Sequence, residues 1–167
     1  MEIEVQPLDY LGQMKLAETM AFSGMGREWW NDTIHAASVR AIDGVQIARP
    51  TKTVHFRDIM RRLGDDGMAI VVQKHAEYRE PGEPPDVMVK KLNALERWDL
   101  KLIAEHRYDV PAWANLAYIA CMVRTINGEN LDFPADLNAL YERVKMLGIH
   151  GIGAAAKTLT APAEENE

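Results

Sequence analysis

Sliding the chain against itself by 84 positions aligns two stretches without a gap. Trp29 falls on Trp113, Asn31 on Asn115 and Ala36 on Ala120. Val39-Arg40 falls on Val123-Arg124, Ile42 on Ile126, Asp43 on Asn127 and Gly44 on Gly128. Pro50 meets Pro134, Leu63-Gly64 meets Leu147-Gly148, and Gly67 meets Gly151. Upstream, Val5, Leu8, Leu11 and Leu16 meet Val89, Leu92, Leu95 and Leu100. Glycine, proline and tryptophan are the residues a backbone and a core are most particular about, so a shared register of this kind points to one unit used twice. The 167 residues then divide into a first repeat, 1–79, a linker, 80–86, and a second repeat, 87–160. The linker, Glu-Pro-Gly-Glu-Pro-Pro-Asp, cannot continue a helix and favours an extended spacer. The last residues, 161–167, are small and acidic and are expected to be disordered.

Within each unit the apolar spacing predicts helices. Leu8, Leu11 and Met14 in one copy, and Leu92, Leu95, Trp98 and Leu102 in the other, recur at helical intervals near one face. A second helix is expected over about 28–43 and 112–127, ended by Gly44 and Gly128 in the left-handed conformation, with Asp43 or Asn127 before them. On that reading Arg40 and Arg124 occupy the last helical turn, facing the negative end of the dipole. A third helix follows Pro50 and Pro134 and stops at Gly64 and Gly148, and a fourth closes the unit. The expected fold class is all-α: a tandem duplication of a small four-helix unit. Ile3 and Val5, or Val87 and Val89, leave room for a short N-terminal strand in each copy.

Composition limits the chemistry. A net charge of −6 opposes nonspecific nucleic-acid binding, which requires a basic surface. Arg57, Arg61 and Arg62 beside a Leu-Gly turn suggest a helix-turn-helix, but Met68–Val72 offers too few polar side chains to read base edges. Cys121 stands alone, so no intrachain disulfide or thiolate metal site forms. The five histidines lack ligand spacing, and Asp65-Asp66-Gly67 lacks the later ligands of a calcium loop. No phosphate-binding glycine loop or nucleophile motif occurs, so no cofactor and no catalytic residue is expected. The start, MEIEVQPLDY, does not read as a secretory signal, and the most apolar run, Trp113–Val123, is too short to span a bilayer.

Four tryptophans and nine methionines remain, residue types suited to adaptable apolar surfaces. Trp29 and Trp113 are equivalent and read most simply as core. Trp30 has Ala114 as its counterpart, which makes it the better candidate for facing a partner, although packing within or between the units explains it as well. Arg40 and Arg124 are the other candidates, through an acidic partner or a bridge between the units.

The stretch Val39-Arg-Ala-Ile-Asp-Gly-Val45, then Pro50, then Leu63-Gly-Asp-Asp-Gly-Met68 resembles the central part of the tail assembly chaperones of long-tailed bacteriophages. The likeness covers residues 29–75 and, more weakly, 113–158. It implies a small helical protein of the infected bacterial cytoplasm that binds the tape measure protein and tail-tube subunits during tail assembly. It implies no catalytic residues. Members typically carry one copy of this region, so the duplication here is a departure, and self-association stays open. Two other readings stand beside it: a structural virion or host-interaction protein of the same fold, and a DNA-binding regulator using the Arg57–Arg62 helix.

Overall fold

The computed structural model describes residues 1–23, 29–79 and 81–160, so Glu80 of the expected linker and the expected acidic tail, 161–167, lie outside the described residues. The chain divides into two compact units, Met1–Glu80 and Pro81–Glu167. The first runs β1 (Ile3–Val5), α1 (Tyr10–Ser23), α2 (Trp30–Ser38), β2 (Val39–Ile42), β3 (Val45–Gln46) and α3 (Thr53–Glu77). The second runs β4 (Val87–Val89), α4 (Ala94–Ala104), a 3₁₀ turn (Glu105–Asp109), α5 (Pro111–Met122), β5 (Val123–Ile126), β6 (Glu129–Asn130) and α6 (Leu137–Thr160).

Neither unit is an all-α bundle. Each contains a three-stranded antiparallel sheet, in the order β1-β2-β3 or β4-β5-β6, which corrects the four-helix expectation. The error lies at Asp43-Gly44 and Asn127-Gly128. Both residues of each pair have positive φ, 49° and 78° in the first unit, 50° and 82° in the second. Two consecutive positive φ values mark the type I′ turn of a β-hairpin, for which Asp-Gly and Asn-Gly are the preferred sequences. The β-branched residues on either side, Val39, Ile42 and Val45, and Val123 and Ile126, suit strands for the same reason. The second helix therefore ends at Ser38 and at Met122, and Val39 and Val123 already have extended backbone.

The turn residue also fastens the N-terminal strand. Asp43 Oδ1 accepts the Glu2 N–H at 2.7 Å, and the Asp43 N–H returns to the Glu2 carbonyl at 2.7 Å. Asn127 repeats both bonds with Asp86, at 3.0 and 2.7 Å. An acceptor side chain that tolerates positive φ is needed there, which restricts the position to Asp or Asn.

Strand β1 pairs with β2 through Ile3↔Ile42, Glu4↔Ala41 and Val5↔Val39, so Arg40 is an extra residue in a β-bulge. The pairs Val87↔Ile126, Met88↔Thr125 and Val89↔Val123 place Arg124 in the same bulge. In the first unit, Ile3, Val39 and Ile42 of the sheet pack with Phe56, Ile59, Leu63 and Val71 of α3. In the second, α5 packs chiefly against α6, around a fully buried Trp113 together with Leu140 and Val144. The long helices bend at Gly64 and Gly148, with φ/ψ of 59°/−170° and 55°/−166°. That backbone region is open only to glycine, so the Leu-Gly pair ends one helical segment and turns the chain into the next. Val71, inside the segment that a helix-turn-helix would present to DNA, is buried in this core.

Candidate functional site

The apolar spacing of α4 divides onto two faces. Leu100 and Ala104, with Leu92 just ahead of the helix, are buried. Leu95, Trp98 and Leu102 point to solvent, at 68, 63 and 62% exposure. Their i, i+3, i+7 spacing gathers them into one stripe. The helical spacing gathers Leu92, Leu95, Trp98 and Leu102 near one face, and the structure separates buried Leu92 from the other three. The repeat itself carried the missed signal, since Leu102 corresponds to Glu18, a residue type that marks a wet face. The helix is firmly begun: the Asn93 side chain accepts the Glu96 N–H at 2.9 Å, and Glu96 Oε2 accepts the Asn93 N–H at 2.9 Å. This capping box holds the stripe on a well-ended helix.

Beside the stripe lies a groove of about 340 Å³, lined by Asp99, Leu102 and Ile103 of α4 and by Phe133-Pro134-Ala135 of the loop before α6. The matching positions in the first unit also form a groove, of about 200 Å³. There Lys15 and Thr19 of α1 face Arg49-Pro50-Thr51, over a floor that includes Leu8, Leu16 and Ala37. One site of the shared fold therefore carries acidic and apolar walls in the second unit, and cationic and hydroxyl walls in the first.

The bulge arginines differ in the same sense. Arg124 Nη2 pairs with Glu96 Oε1 at 2.8 Å, both side chains about one-fifth exposed. Arg143, almost wholly buried, donates to the Asp132 carbonyl and lies near Arg124 and Cys121. Burial pushes the Cys121 thiol up to about 12, which leaves it protonated and inert. Arg40 has Gly12 where Arg124 has Glu96, and it turns to carbonyls instead. Its Nη1 donates to Ala37 at 2.8 Å and Val39 at 2.9 Å, and its Nη2 donates to Gln6 at 3.2 Å. Arg40 and Arg124 thus lie in strands, not in a last helical turn, although Arg40 still caps the α2 carbonyl end from outside. Arg124 meets its carboxylate within its own unit.

The tryptophans are placed differently from the reading of them as equivalents. Trp113 is fully buried, whereas Trp29 is 49% exposed. Trp30 is partly buried against the first unit's core. Among the described residues, no three His, Cys, Asp or Glu side chains converge as metal ligands, and no helix is long and apolar enough to cross a membrane.

One polar pair is peculiar to the first unit. His35 of α2 and His75 of α3 meet edge to face, ring centroids 5.0 Å apart, where the second unit has Ile119 and Leu159. His35 Nδ1 and His75 Nε2 are buried without a hydrogen-bond partner. Burial lowers both titrations below the ordinary 6.5; the charge of His35 lowers His75 further, and Asp32 partly offsets the effect on His35. Below 6.5 the unfolded chain therefore binds more protons than the folded one. The first unit should lose stability as pH falls through that value, levelling off below the folded-state titrations. Urea unfolding at about pH 7.5 and about pH 5 checks this, the interval over which histidine changes charge. The double substitution His35→Ile/His75→Leu should remove the dependence.

No protein-family model, no curated protein and no solved structure matches this chain.

Proposed function

We propose that this chain is a non-catalytic protein-binding factor, an assembly chaperone of the phage-tail kind whose partner is a long helical protein. The observation that carries the reading is the exposed Leu95–Trp98–Leu102 stripe on α4. A large apolar surface held open to water on a well-capped helix has a cost in isolation and is relieved when a partner covers it. Three anchors at helical spacing beside a groove suit the apolar face of an amphipathic helix, and tryptophan is the residue type most often dominant at such contacts. Asp99 and Asp136 border the neighbouring grooves, where Glu105 is already paired with Arg107 at 3.8 Å, so a partner helix with a basic residue at its flank fits best. The phage assignment rests on the Ile-Asp-Gly, Pro and Leu-Gly-Asp-x-Gly pattern, and under it the partners are the tape measure and tail-tube proteins.

The test is co-expression with each tail protein of the same phage, followed by recovery of the soluble complex. The tape measure protein should be recovered and kept soluble. Trp98→Glu with Leu102→Glu should abolish that recovery while leaving the circular dichroism unchanged, because both side chains are already exposed. Recovery of neither the tape measure nor the tube protein would remove the chaperone reading in favour of a virion component. Undiminished recovery with the double variant would move the binding face away from α4.

A further inference from the structure

The two units present the same groove with opposite chemistry, and the difference extends to the bulge arginine beside it. In the second unit a carboxylate for that arginine is supplied from within, by Glu96 at 2.8 Å. In the first unit the corresponding position is Gly12, which itself lines the groove and offers Arg40 no carboxylate; the Asp9 side chain lies against it, 2.9 Å from where a Cβ would stand. Lys15 and Arg49 are exposed on the groove walls, and among the described residues neither has a carboxylate partner. Arg40 bonds to the carbonyl of Ala37, another lining residue, and burial, then the charge of Arg49, lowers its titration. The neighbouring acid, Asp9, is occupied in accepting the Gly12 N–H at 2.7 Å.

We propose that the groove of the first unit binds an acidic side chain presented by a peptide segment of a partner protein, with Lys15 and Arg49 holding the carboxylate and Leu8, Leu16 and Pro50 holding its methylenes and an adjoining apolar residue. A cavity of about 200 Å³ with an apolar floor and cationic rim takes one such side chain and part of a neighbour. An apolar floor adds nothing to the binding of a bare inorganic anion, and this sets a peptide apart from a free phosphate. The second unit, with Asp99 and Phe133 at the positions of Lys15 and Arg49, is built to refuse the same ligand. The proposal concerns a different unit from the α4 stripe, so either can fail alone.

The experiment uses the full chain and two fluorescein-labelled helical peptides, one carrying Glu and Leu four residues apart, the other with Gln for every Glu. Anisotropy should show the Glu peptide bound at low salt and at least about tenfold weaker binding of the Gln peptide, with the difference shrinking as salt screens the exposed charges. Lys15→Glu with Arg49→Glu should abolish binding, and Trp98→Glu should leave it intact. Equal binding of the two peptides, or binding unchanged by the Lys15/Arg49 reversal, overturns the proposal. So does a single-stranded oligonucleotide that displaces the Glu peptide at lower concentration than the unlabelled peptide does, because the site would then be reading phosphate.

Discussion

Trp113→Ala is expected to unfold the second unit under conditions in which the first stays native. The indole is fully buried between α5 and its neighbours, and truncating a buried tryptophan typically costs about 3–5 kcal/mol. A domain's whole stability is about 5–15 kcal/mol, and units of this size fall toward the lower part of that range. Hydrogen exchange read by mass spectrometry gives the result unit by unit. Amides of α5 and α6 should lose nearly all protection, while those of α2 and α3 keep theirs. Trp29→Ala, at the equivalent position of the first unit, should shift stability by no more than about 0.5 kcal/mol, as an exposed substitution does. A comparable loss from both variants would contradict the different burial of the two side chains.

The second large effect is expected at Glu96→Gln. This side chain closes the capping box of α4 and pairs with Arg124, which lies near the buried Arg143. Removing its charge leaves the Arg124 guanidinium without its carboxylate, beside a second buried guanidinium, Arg143. Losing hydrogen bonds to a charged group costs about 1.5–3 kcal/mol, and the partial exposure of this pair places the loss toward the lower figure. The Asn93 N–H and then the charge of Arg124 hold the Glu96 carboxyl below its ordinary 4.5. Its contribution is therefore complete above that value and disappears as pH falls through the folded-state titration. Denaturant unfolding of the wild type should show this loss in the second unit, and the Gln variant should not. Acid thus acts on the units in sequence, on the histidine pair of the first before the carboxylate of the second.

The repeat was legible because it rests on residue types with narrow backbone or packing requirements. The strands were not, and the reason is local. Asp-Gly after Val-Arg-Ala-Ile satisfies a helix stop and a hairpin turn alike, since both need positive φ. Long-range pairing with Ile3–Val5 decides between them, and a local pattern does not contain it. The α4 stripe was legible as a stripe but not as an outward one, because periodicity fixes which residues share a face and not which way that face points. Trp29 and Trp113 show the limit of repeat logic: matched positions kept the amino acid and lost the burial. The groove pair was recoverable in principle, by comparing Lys15 with Asp99 and Arg49 with Phe133. The comparison has meaning only once the fold brings helix and loop together.

The clasp between the turn and the N-terminal strand has a consequence for how the chain reaches this structure. In each unit the atoms that close it are 41 residues apart in sequence. The hairpin forms from neighbours, whereas the first strand must return across two helices, and contacts of that separation are the slow ones. Each unit is thus a loop closed at its own beginning by a long-range contact. β1 and β4 enter their sheets in the same register, with the same bulge opposite Arg40 and Arg124, so the two closures are built alike.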